Sequence, residues 1–225
     1  MSVPHFGVDE AGRGCLAGPV VAGAVLAGPD FDFAAKLPGL TDSKALSAKK
    51  RERLRLDICA SSLHWSLGVA WPGEIDEINI LNATFRAMSR AVISLLDRLP
   101  QKPALAECPL CIDGSQSILL PQWRIVCGRR NLELPAQKTL VKGDSLLPSI
   151  SAASILAKTW RDRLMLALDR RHPGYGFAAH KGYGTGEHLE ALRRLGPSRQ
   201  HRRTFAGVKP EDGQAAPAQE QFALF

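Results

Sequence analysis

The sequence predicts an α/β domain in which helices cover a β-sheet, followed by a helical C-terminal part. Two observations support this prediction. Short apolar stretches with period-two alternation, of which 64–71 is the clearest, are typical of half-buried strands. Longer stretches with apolar residues at spacings of three and four, as from Ile78 to Leu95, are typical of helices that cover a core. Because both kinds succeed one another along the chain, an α/β fold is favoured.

The predicted elements can be placed in order along the chain. Glycines and prolines bound most of them, since these residues interrupt regular structure. The predicted strands are 3–9, 20–27, 64–71, 104–112 and 137–142. The predicted helices are Ser47–Ser61, Ser149–Arg171, Thr185–Leu195 and a long helix that begins at about Ile78. Pro100 and Pro103 end this long helix. Residues 209–225 are polar and are expected to be disordered, because they cannot bury enough apolar surface.

The charge balance indicates a polyanionic partner. The 225 residues include 29 Lys and Arg against 22 Asp and Glu, which gives a net charge of +7. A basic protein favours nucleic acid as its partner. The alternative is a set of scattered, solvated charges, and the composition alone leaves both possibilities open.

Composition and patterning argue against several other classes of protein. No uninterrupted apolar run reaches the roughly 18 residues of a membrane span, and no secretory signal is visible, so no membrane association is expected. Five cysteines in such a sequence indicate free thiols in a reducing compartment, and we expect a cytoplasmic protein. Cys108 and Cys111 have a metal-like spacing, but no second Cys pair or His pair accompanies them. We therefore expect ordinary buried side chains there.

Acidic residues close three of the predicted strands. Asp9 and Glu10 come at the end of the first strand. Asp113 ends a second strand before a glycine, and Asp144 follows "TLVKG". Neighbouring strand residues face opposite sides, so Asp9 and Glu10 share a site only if the strand ends or bends there, as the glycines of "AGRG" would allow. Taken alone, such an acid pair is more typical of a solvated surface.

Together, these acids predict a metal site. Clustered carboxylates repel one another and need cations, and oxygen ligands without Cys or His suit Mg²⁺ or Mn²⁺. Two such ions, about 3.5–4 Å apart, can hold the attacking and leaving oxygens of a phosphodiester. A basic protein with such a carboxylate site is typical of a metal-dependent nuclease.

Several motifs occur in the order that one enzyme family shows. They are GVDEAGRG, LTDSKALS, EIDEINILNATFRAM, IDG, VKGD, SISAASILAKTWRDRLM, PGYGFAAHKGYGTGEH and LGPSRQHRRTF. On these motifs, residues 4–207 resemble ribonuclease HII. The resemblance implies a ribonuclease H-like mixed β-sheet flanked by helices, with a C-terminal helical extension. It also implies hydrolysis 5′ of ribonucleotides in RNA–DNA hybrids, or of single ribonucleotides embedded in duplex DNA, leaving 3′-hydroxyl and 5′-phosphate ends.

The resemblance also implies roles for the matching residues. The catalytic, metal-binding acids match Asp9, Glu10, Asp113 and Asp144. A ribose sensor matches Gly12, Arg13 and Gly14, since glycines let the backbone approach a 2′-hydroxyl. Tyr183 matches a tyrosine that packs on a sugar. Phosphate contacts are expected from Lys44, Lys142 and Lys181, with Lys158, Ser149 and Ser154 as further candidates.

The implied organisation has three parts: a catalytic domain over 1–171, a helical extension over 172–208 packed on it, and the tail 209–225. The tail ends in QFALF, which resembles the peptide by which bacterial replication and repair proteins dock on the sliding clamp. Its expected clamp contacts are Gln221, Phe222, Leu224 and Phe225. The alternative is an apolar end that packs back on the domain. Nothing in the sequence calls for more than a monomer.

The sequence departs from the family pattern in three places, and one of them is "IDGSQ", where an Asp-Gly-Asn opening is more common. Cys15 stands where proline is usual, which is expected to loosen the turn and to add an oxidisable thiol near the site. The segment 115–138 is longer than in many bacterial relatives and is expected to be a surface excursion. Its arginines, Arg124, Arg129 and Arg130, either extend a nucleic-acid footprint or are simply solvated.

Two other functions compete with the ribonuclease. A junction resolvase of the same fold class would act on DNA alone, and it would have no use for the ribose sensor or for Tyr183. A non-catalytic nucleic-acid binder would gain nothing from four acids in its groove. The motifs therefore favour the ribonuclease over both alternatives.

Overall fold

The computed structural model describes residues 4–61, 63–99, 107–130 and 132–208. The strands within these ranges are β1 His5–Ala11, β2 Val20–Ala27, β3 His64–Ala70, β4 Leu110–Asp113 and β5 Gln137–Leu140. They form one sheet in the order β3-β2-β1-β4-β5. β2 is antiparallel to both β1 and β3, whereas β1, β4 and β5 run parallel. The predicted α/β fold with a mixed sheet is confirmed.

Helices flank this sheet, and the two longest, α4 and α7, pack against it. The helices are α1 Phe33–Lys36, α2 Ala48–Ala60, α3 Pro72–Ile78, α4 Ile80–Arg98, α5 Leu120–Cys127, α6 Gly143–Leu146, α7 Pro148–Arg171, α8 Phe177–His180 and α9 Gly186–Leu195. Short 3₁₀ helices cover Ser43–Ala45 and Gly128–Arg130. Ser47 and Thr185 cap α2 and α9, each accepting a backbone N–H hydrogen bond at 3.3 Å. The caps explain why these two helices begin where the sequence predicts.

The long helix predicted from about Ile78 corresponds to α4, and a short helix that was not predicted, α3, precedes it. Asn79 has a φ of 67°, in the left-handed region, and this conformation separates α3 from α4. Its side chain then caps α4 by accepting the N–H of Asn82 at 3.1 Å. Phe85, Met88 and Val92 of the predicted apolar stripe are buried between α4 and the sheet.

The opposite face of the sheet is covered by α7, which lies unusually close to two glycines. A Cβ on Gly7 would come within 2.2 Å of the Ser149 carbonyl carbon. One on Gly23 would come within 2.4 Å of the Ala153 carbonyl oxygen. The absence of these side chains lets α7 rest directly on β1 and β2, so that α7 can contact the residues that follow Gly7 on the same face.

The excursion after β4 is partly integrated into the core. Ile118, Trp123 and Cys127 are buried there, and the Trp123 indole donates to the Leu132 carbonyl at 2.9 Å. The prediction of a surface excursion is therefore wrong for α5. Trp123 and Cys127 are four residues apart, so one turn of helix places both on the face that packs against α4. Arg124, Arg129 and Arg130 are exposed, and Arg130 pairs with Asp97 at 3.0 Å.

The predicted strand 104–112 is shorter in the structure. β4 begins only at Leu110, directly after Pro109, which has no N–H for the sheet. Residues 104–106 lie outside the described residues. Cys108 and Cys111 are buried free thiols, as expected, and burial raises the pKa of Cys108 to about 11. Among the described residues, no helix is both long and apolar enough to cross a bilayer.

The segment after α7 is attached to the loop between β1 and β2. The N–H groups of Leu16 and Ala17 donate to the Gly182 carbonyl, and that of Gly18 donates to the Gln200 carbonyl. The loop is therefore held by residues near the C-terminal end of the described chain. A boundary at residue 171 between a catalytic domain and an extension stays a prediction.

Three buried histidines stabilise this C-terminal segment. His188 Nε2 lies 3.0 Å from His201 Nε2, and His188 Nδ1 lies 2.8 Å from the Tyr183 carbonyl. His201 Nδ1 accepts the Ser198 N–H at 2.9 Å. The His180 ring stacks on His188, with centroids 4.2 Å apart. Burial lowers the pKa of His201 to about 3 and also lowers the pKa of His188, so both rings are neutral at physiological pH.

Candidate active site

Asp9 and Glu10 lie within β1 rather than at its end. Pairing with β2 continues to Ala11, with Asp9 opposite Gly23 and Glu10 opposite Ala22. The prediction that the strand ends or bends at the acids is therefore wrong, because backbone pairing persists past both of them. Since strand residues alternate, Asp9 faces α7 and Glu10 faces the other side.

Three carboxylates converge at one edge of the sheet. Oxygen atoms of Asp9, Asp113 and Asp144 lie within 4.8 Å of one another. Asp9 and Asp113 come from neighbouring parallel strands, and Asp144 comes from α6, directly after β5. Asp113 Oδ1 accepts the Gly143 N–H at 2.6 Å, which ties the end of β4 to the start of α6.

Asp144 has an unsatisfied oxygen in this cluster. The residue is 4% exposed, and its Oδ2 has no hydrogen-bond donor among the described residues. Lys44 Nζ lies 3.9 Å from this atom, which is beyond hydrogen-bond distance. A buried carboxylate oxygen without a donor is costly. The three carboxylates therefore fit a divalent cation that prefers oxygen ligands.

The carboxylates also oppose one another's ionisation. Burial raises the pKa of Asp9 well above its usual value, and the charges of Glu10 and Asp113 raise it further. Burial likewise raises the pKa of Asp144, with contributions from Asp42 and Asp113. Keeping all of these groups ionised together requires positive charge at the site.

Glu10 lies beside this cluster but outside it. Its Oε1 accepts a hydrogen bond from Arg13 Nη1 at 3.3 Å, and its side chain is 14% exposed. Burial raises its pKa, Arg13 opposes that rise, and the charge of Asp113 adds to it. Its assignment as a metal ligand stays a prediction.

Asp42 and Ser154, of which only Ser154 is a predicted site residue, lie beside the acids. Asp42 raises the pKa of Asp144, and its Oδ1 accepts the Lys44 N–H at 2.8 Å. Ser154 of α7 lowers the pKa of Asp9, and its Oγ lies 2.9 Å from that of Ser43. The motif LTDSKALS contains Asp42 and Ser43, but only the fold shows that they lie beside Asp144 and Ser154.

The predicted ribose sensor is a turn beside the carboxylates. Gly12 has a φ of 95°, which favours glycine, and Gly14 has open space where a Cβ would be. The Arg13 side chain is 46% exposed while it pairs with Glu10. Tyr183 is 44% exposed, and Lys158 Nζ lies 5.9 Å from its ring centroid. These groups are accessible to a ligand at the cluster.

Cys15 is not the accessible thiol that its position suggests. It is fully buried, and it raises the pKa of the neighbouring Tyr183. Its N–H donates to the Gly12 carbonyl at 3.4 Å, so it is part of the turn. The expectation of an oxidisable thiol at the site is wrong, because burial separates the sulfur from solvent oxidants.

The predicted phosphate contacts occupy different environments. The Lys44 side chain is 82% exposed beside the acids, and Lys142 is exposed just before α6. Lys181 is half-buried, and its Nζ donates to the Ala178 carbonyl. Lys158 pairs with Asp162 at 2.8 Å. A phosphate contact from any of these four lysines stays a prediction.

Ser149 is excluded from substrate contact by its burial. It is fully buried, with its Oγ 3.0 Å from His5 Nε2. Ser154 is also buried, and it lowers the pKa of Asp9. The predicted clamp contacts, Gln221, Phe222, Leu224 and Phe225, lie outside the described residues.

A mixed sheet with three acids converging at its parallel edge, in a basic protein, defines a class of proteins: the metal-dependent nucleases of ribonuclease H-like fold. Solved structures with this fold agree. The ribonuclease H2 from Pyrococcus horikoshii OT3 is 27% identical, with a TM-score of 0.67 over 92% of this chain and 95% of that one. RNase HII in the PCNA:RNase HII complex from Archaeoglobus fulgidus is 25% identical, with a TM-score of 0.64 over 90% and 95%.

Sequence comparison identifies the particular family. The family model for ribonuclease HII matches residues 6–208. The ribonuclease HII of Nitratidesulfovibrio vulgaris is 52% identical over 219 residues, which cover 97% of this chain and 91% of the relative. The chain belongs to the ribonuclease HII family and is a metal-dependent ribonuclease that acts on RNA–DNA substrates.

Proposed function

We propose that this enzyme hydrolyses the phosphodiester 5′ of ribonucleotides, both in RNA–DNA hybrids and at single ribonucleotides embedded in duplex DNA. Cleavage uses two divalent metal ions and leaves 3′-hydroxyl and 5′-phosphate ends. The observation that carries the proposal is the cluster of Asp9, Asp113 and Asp144, with a buried, unsatisfied Asp144 oxygen, beside an accessible glycine turn.

The acids would hold the metal. Asp9, Asp113 and Asp144 offer convergent oxygens, and Glu10 is the fourth proposed ligand. Mg²⁺ or Mn²⁺, when bound, supplies positive charge that polarises the scissile phosphate. The protein fixes the geometry: Asp113 Oδ1 accepts the Gly143 N–H, and Asp9 Oδ1 accepts the Glu10 N–H at 2.7 Å.

The glycine turn would select the ribonucleotide. Gly12, Arg13 and Gly14 can bring backbone groups to the 2′-hydroxyl, the feature by which proteins distinguish RNA from DNA. Tyr183 would pack on the adjoining sugar. Arg13 contacts Glu10 at 3.3 Å, so the selecting turn and the metal-binding acids are physically joined. Lys44, Lys142 and Lys181 would hold flanking phosphates.

The test uses two duplexes with Mg²⁺: one DNA duplex with a single ribonucleotide and one all-DNA duplex of the same sequence. We expect one cut, 5′ of the ribonucleotide, and none in the control duplex. Cutting of both duplexes would favour a resolvase-like DNA nuclease. Binding of both without cutting would favour a non-catalytic binder.

Partners beyond the substrate are also part of the proposal. The relative from Archaeoglobus fulgidus is described in complex with PCNA, and QFALF has the apolar anchors that suit a preformed groove. We therefore propose that residues 221–225 bind a sliding clamp. Removal of these five residues should abolish co-elution with the clamp and leave cleavage of a naked duplex unchanged. Co-elution of the truncated enzyme would refute this part.

The proposed protein is a cytoplasmic monomer. Its five cysteines are free thiols, which fits a reducing compartment. Light scattering over a range of concentrations tests the monomer, and a mass that rises toward twice the chain mass would contradict it.

A further inference from the structure

Two arginines are buried beneath the glycine turn without an acidic partner among the described residues. Arg161 of α7 and Arg202 are both 0% exposed, and neither forms an ion pair with a described carboxylate. Burial lowers the pKa of Arg202 to about 10, so it is still charged at neutral pH. A buried cation without a counterion is costly, so its partners indicate its purpose.

Both guanidinium groups bind backbone carbonyls of the loop between β1 and β2. Arg202 Nη2 donates to the Gly12 carbonyl at 2.6 Å, and its Nη1 donates to the Arg13 carbonyl at 2.7 Å. Its Nε and Nη2 also reach the Gly18 carbonyl, at 3.1 and 3.0 Å. Four of its hydrogen bonds therefore end on this one loop.

Arg161 fastens the same loop to the segment that carries Tyr183. Its Nη2 donates to the Ala17 carbonyl at 3.0 Å, and its Nη1 donates to the Lys181 carbonyl at 2.9 Å. A Cβ on Gly12 would lie 2.0 Å from Arg161 Nε. Gly12 is thus pressed against this guanidinium, and no larger residue fits there.

The direction of these carbonyls determines where the neighbouring amides point. In a trans peptide, the C=O of one residue and the N–H of the next point in opposite directions. The Gly12 and Arg13 carbonyls point inward at Arg202, so the N–H groups of Arg13 and Gly14 point outward. Neither N–H has an acceptor among the described residues.

We propose that Arg202, with Arg161, positions the Gly12–Gly14 turn so that the Arg13 and Gly14 amides face the ribose of the substrate. This inference rests on the proposed function, because it assumes that the turn reads a 2′-hydroxyl. Arg202 and Arg161 are positioning residues and do not themselves touch the substrate. Lysine has three donors on a single nitrogen and cannot reproduce the planar fork that reaches two successive carbonyls.

The test compares Arg202→Lys with Arg203→Lys, its exposed neighbour. Affinities for the single-ribonucleotide and all-DNA duplexes are measured by fluorescence anisotropy with Ca²⁺, under conditions in which no cutting is detected. In Arg202→Lys we expect the preference for the ribonucleotide duplex to fall to about one and kcat/KM to fall at least tenfold. Arg203→Lys should keep the wild-type preference.

A control variant tests whether a loss of stability alone changes the preference for the ribonucleotide duplex. Leu54→Ala in the separate core beneath α2 should lower the unfolding temperature and keep the preference for the ribonucleotide duplex. A folded Arg202→Lys protein with the wild-type preference would overturn the inference. A wild-type enzyme that binds both duplexes equally would also overturn the inference, whereas cutting of both duplexes, or of neither, would overturn the proposed function.

A measurement on the unaltered protein covers the case in which the variant does not fold. The amide ¹H–¹⁵N resonances of Arg13 and Gly14 are followed by NMR as each duplex is added with Ca²⁺. We expect both amides to shift more with the ribonucleotide duplex than with the all-DNA duplex. Equal shifts with the two duplexes would overturn the inference, whatever the variants do.

Discussion

Two clusters of buried charge lie on either side of the Gly12–Gly14 turn, and they differ in how well they are satisfied. The charge of Asp113 raises the pKa of both Asp9 and Asp144, and one Asp144 oxygen has no donor among the described residues. Arg161 and Arg202 are fully buried, whereas Asp113 is half-buried, and both arginines donate their hydrogen bonds to carbonyl oxygens.

This difference separates a binding site from a support. Binding of a cation to the unsatisfied carboxylates lowers the free energy of the folded protein, so the protein is more stable with the cation than without it. The satisfied guanidiniums gain nothing from a ligand, and removing one leaves several buried carbonyls without donors. Substitutions of the three acids should therefore abolish cleavage directly. Substitutions of the two arginines should act through the conformation of the Gly12–Gly14 turn.

The largest effect is expected for Asp113→Asn. The amide keeps the size of the side chain but removes one charge from the cluster of three. Cleavage of the single-ribonucleotide duplex should fall about 1,000-fold or more, which is roughly 4 kcal/mol of transition-state stabilisation. Binding of the uncut duplex should persist, as measured by anisotropy. Wild-type cleavage rates would remove Asp113 from the site.

A matched pair of glycine substitutions tests the support. Gly12→Ala places a Cβ against Arg161 at a φ of 95°, and it should lower the free energy of unfolding by about 3 kcal/mol. Gly14→Ala has open space, so its stability should stay within about 0.5 kcal/mol of wild type while its KM for the ribonucleotide duplex rises. Urea unfolding and steady-state kinetics measure the two effects. Equal stability of the two variants would contradict the contact with Arg161.

Low pH should destabilise the C-terminal segment that carries Arg202, because its buried histidines are neutral in the folded protein. The folded-state pKa of His201 is about 3, whereas an unfolded histidine titrates near its ordinary value of 6.5. Below pH 6.5 the unfolded chain binds more protons than the folded one, so this histidine's contribution to stability is lost as the pH falls toward 3. The loss is up to about 1.4 kcal/mol per pH unit.

The comparison of His201→Gln with His64→Gln isolates this contribution. His64 is exposed on β3, so its substitution should leave the pH dependence of urea unfolding unchanged. His201→Gln should be less stable than wild type at pH 7 but should show a shallower loss between pH 6.5 and pH 4. Parallel curves for wild type and His201→Gln would show that His201 is not neutral in the folded state.

The smallest effect is expected for Asp144→Asn in the metal-free protein. The folded-state pKa of Asp144 is raised, so its ionisation opposes folding, and metal-free stability falls as the pH rises through that pKa. Removing the charge should therefore increase the free energy of unfolding at pH 8 by about 1 kcal/mol while it abolishes stabilisation by Mg²⁺. Asp97→Asn, in an exposed ion pair, is the control and should change little. A destabilised Asp144→Asn protein would show that the Asp144 charge does not oppose folding.

Residues that recur in local patterns can be predicted from the sequence. The alternation in 64–71 and the stripe on α4 depend on spacing alone, and Asp113 is identifiable because it ends an apolar strand. Arg161 and Arg202 cannot be found in this way. Nothing near them in sequence indicates burial, and their partners are brought to them only by the fold.

The predictions that are wrong have related causes. The helix α3 is missing from the predicted elements because its seven residues are too few to show an apolar period, and Asn79 ends it in the left-handed region. The excursion after β4 has the pattern of a solvated segment, yet Trp123 and Cys127 complete a core whose other side is α4, far away in the chain. There a local pattern is overruled by a surface that the segment does not contain.

The bond between Arg202 and the Gly12 carbonyl joins groups that are 190 positions apart. During synthesis at about 5–20 residues per second, the ribosome needs roughly 10 to 40 s to deliver this arginine after the glycine has been made. Nascent chains would therefore carry the first acids long before the turn beside them acquires its final shape. Synthesis of Arg202 thus sets the earliest moment at which the enzyme can discriminate between its substrates.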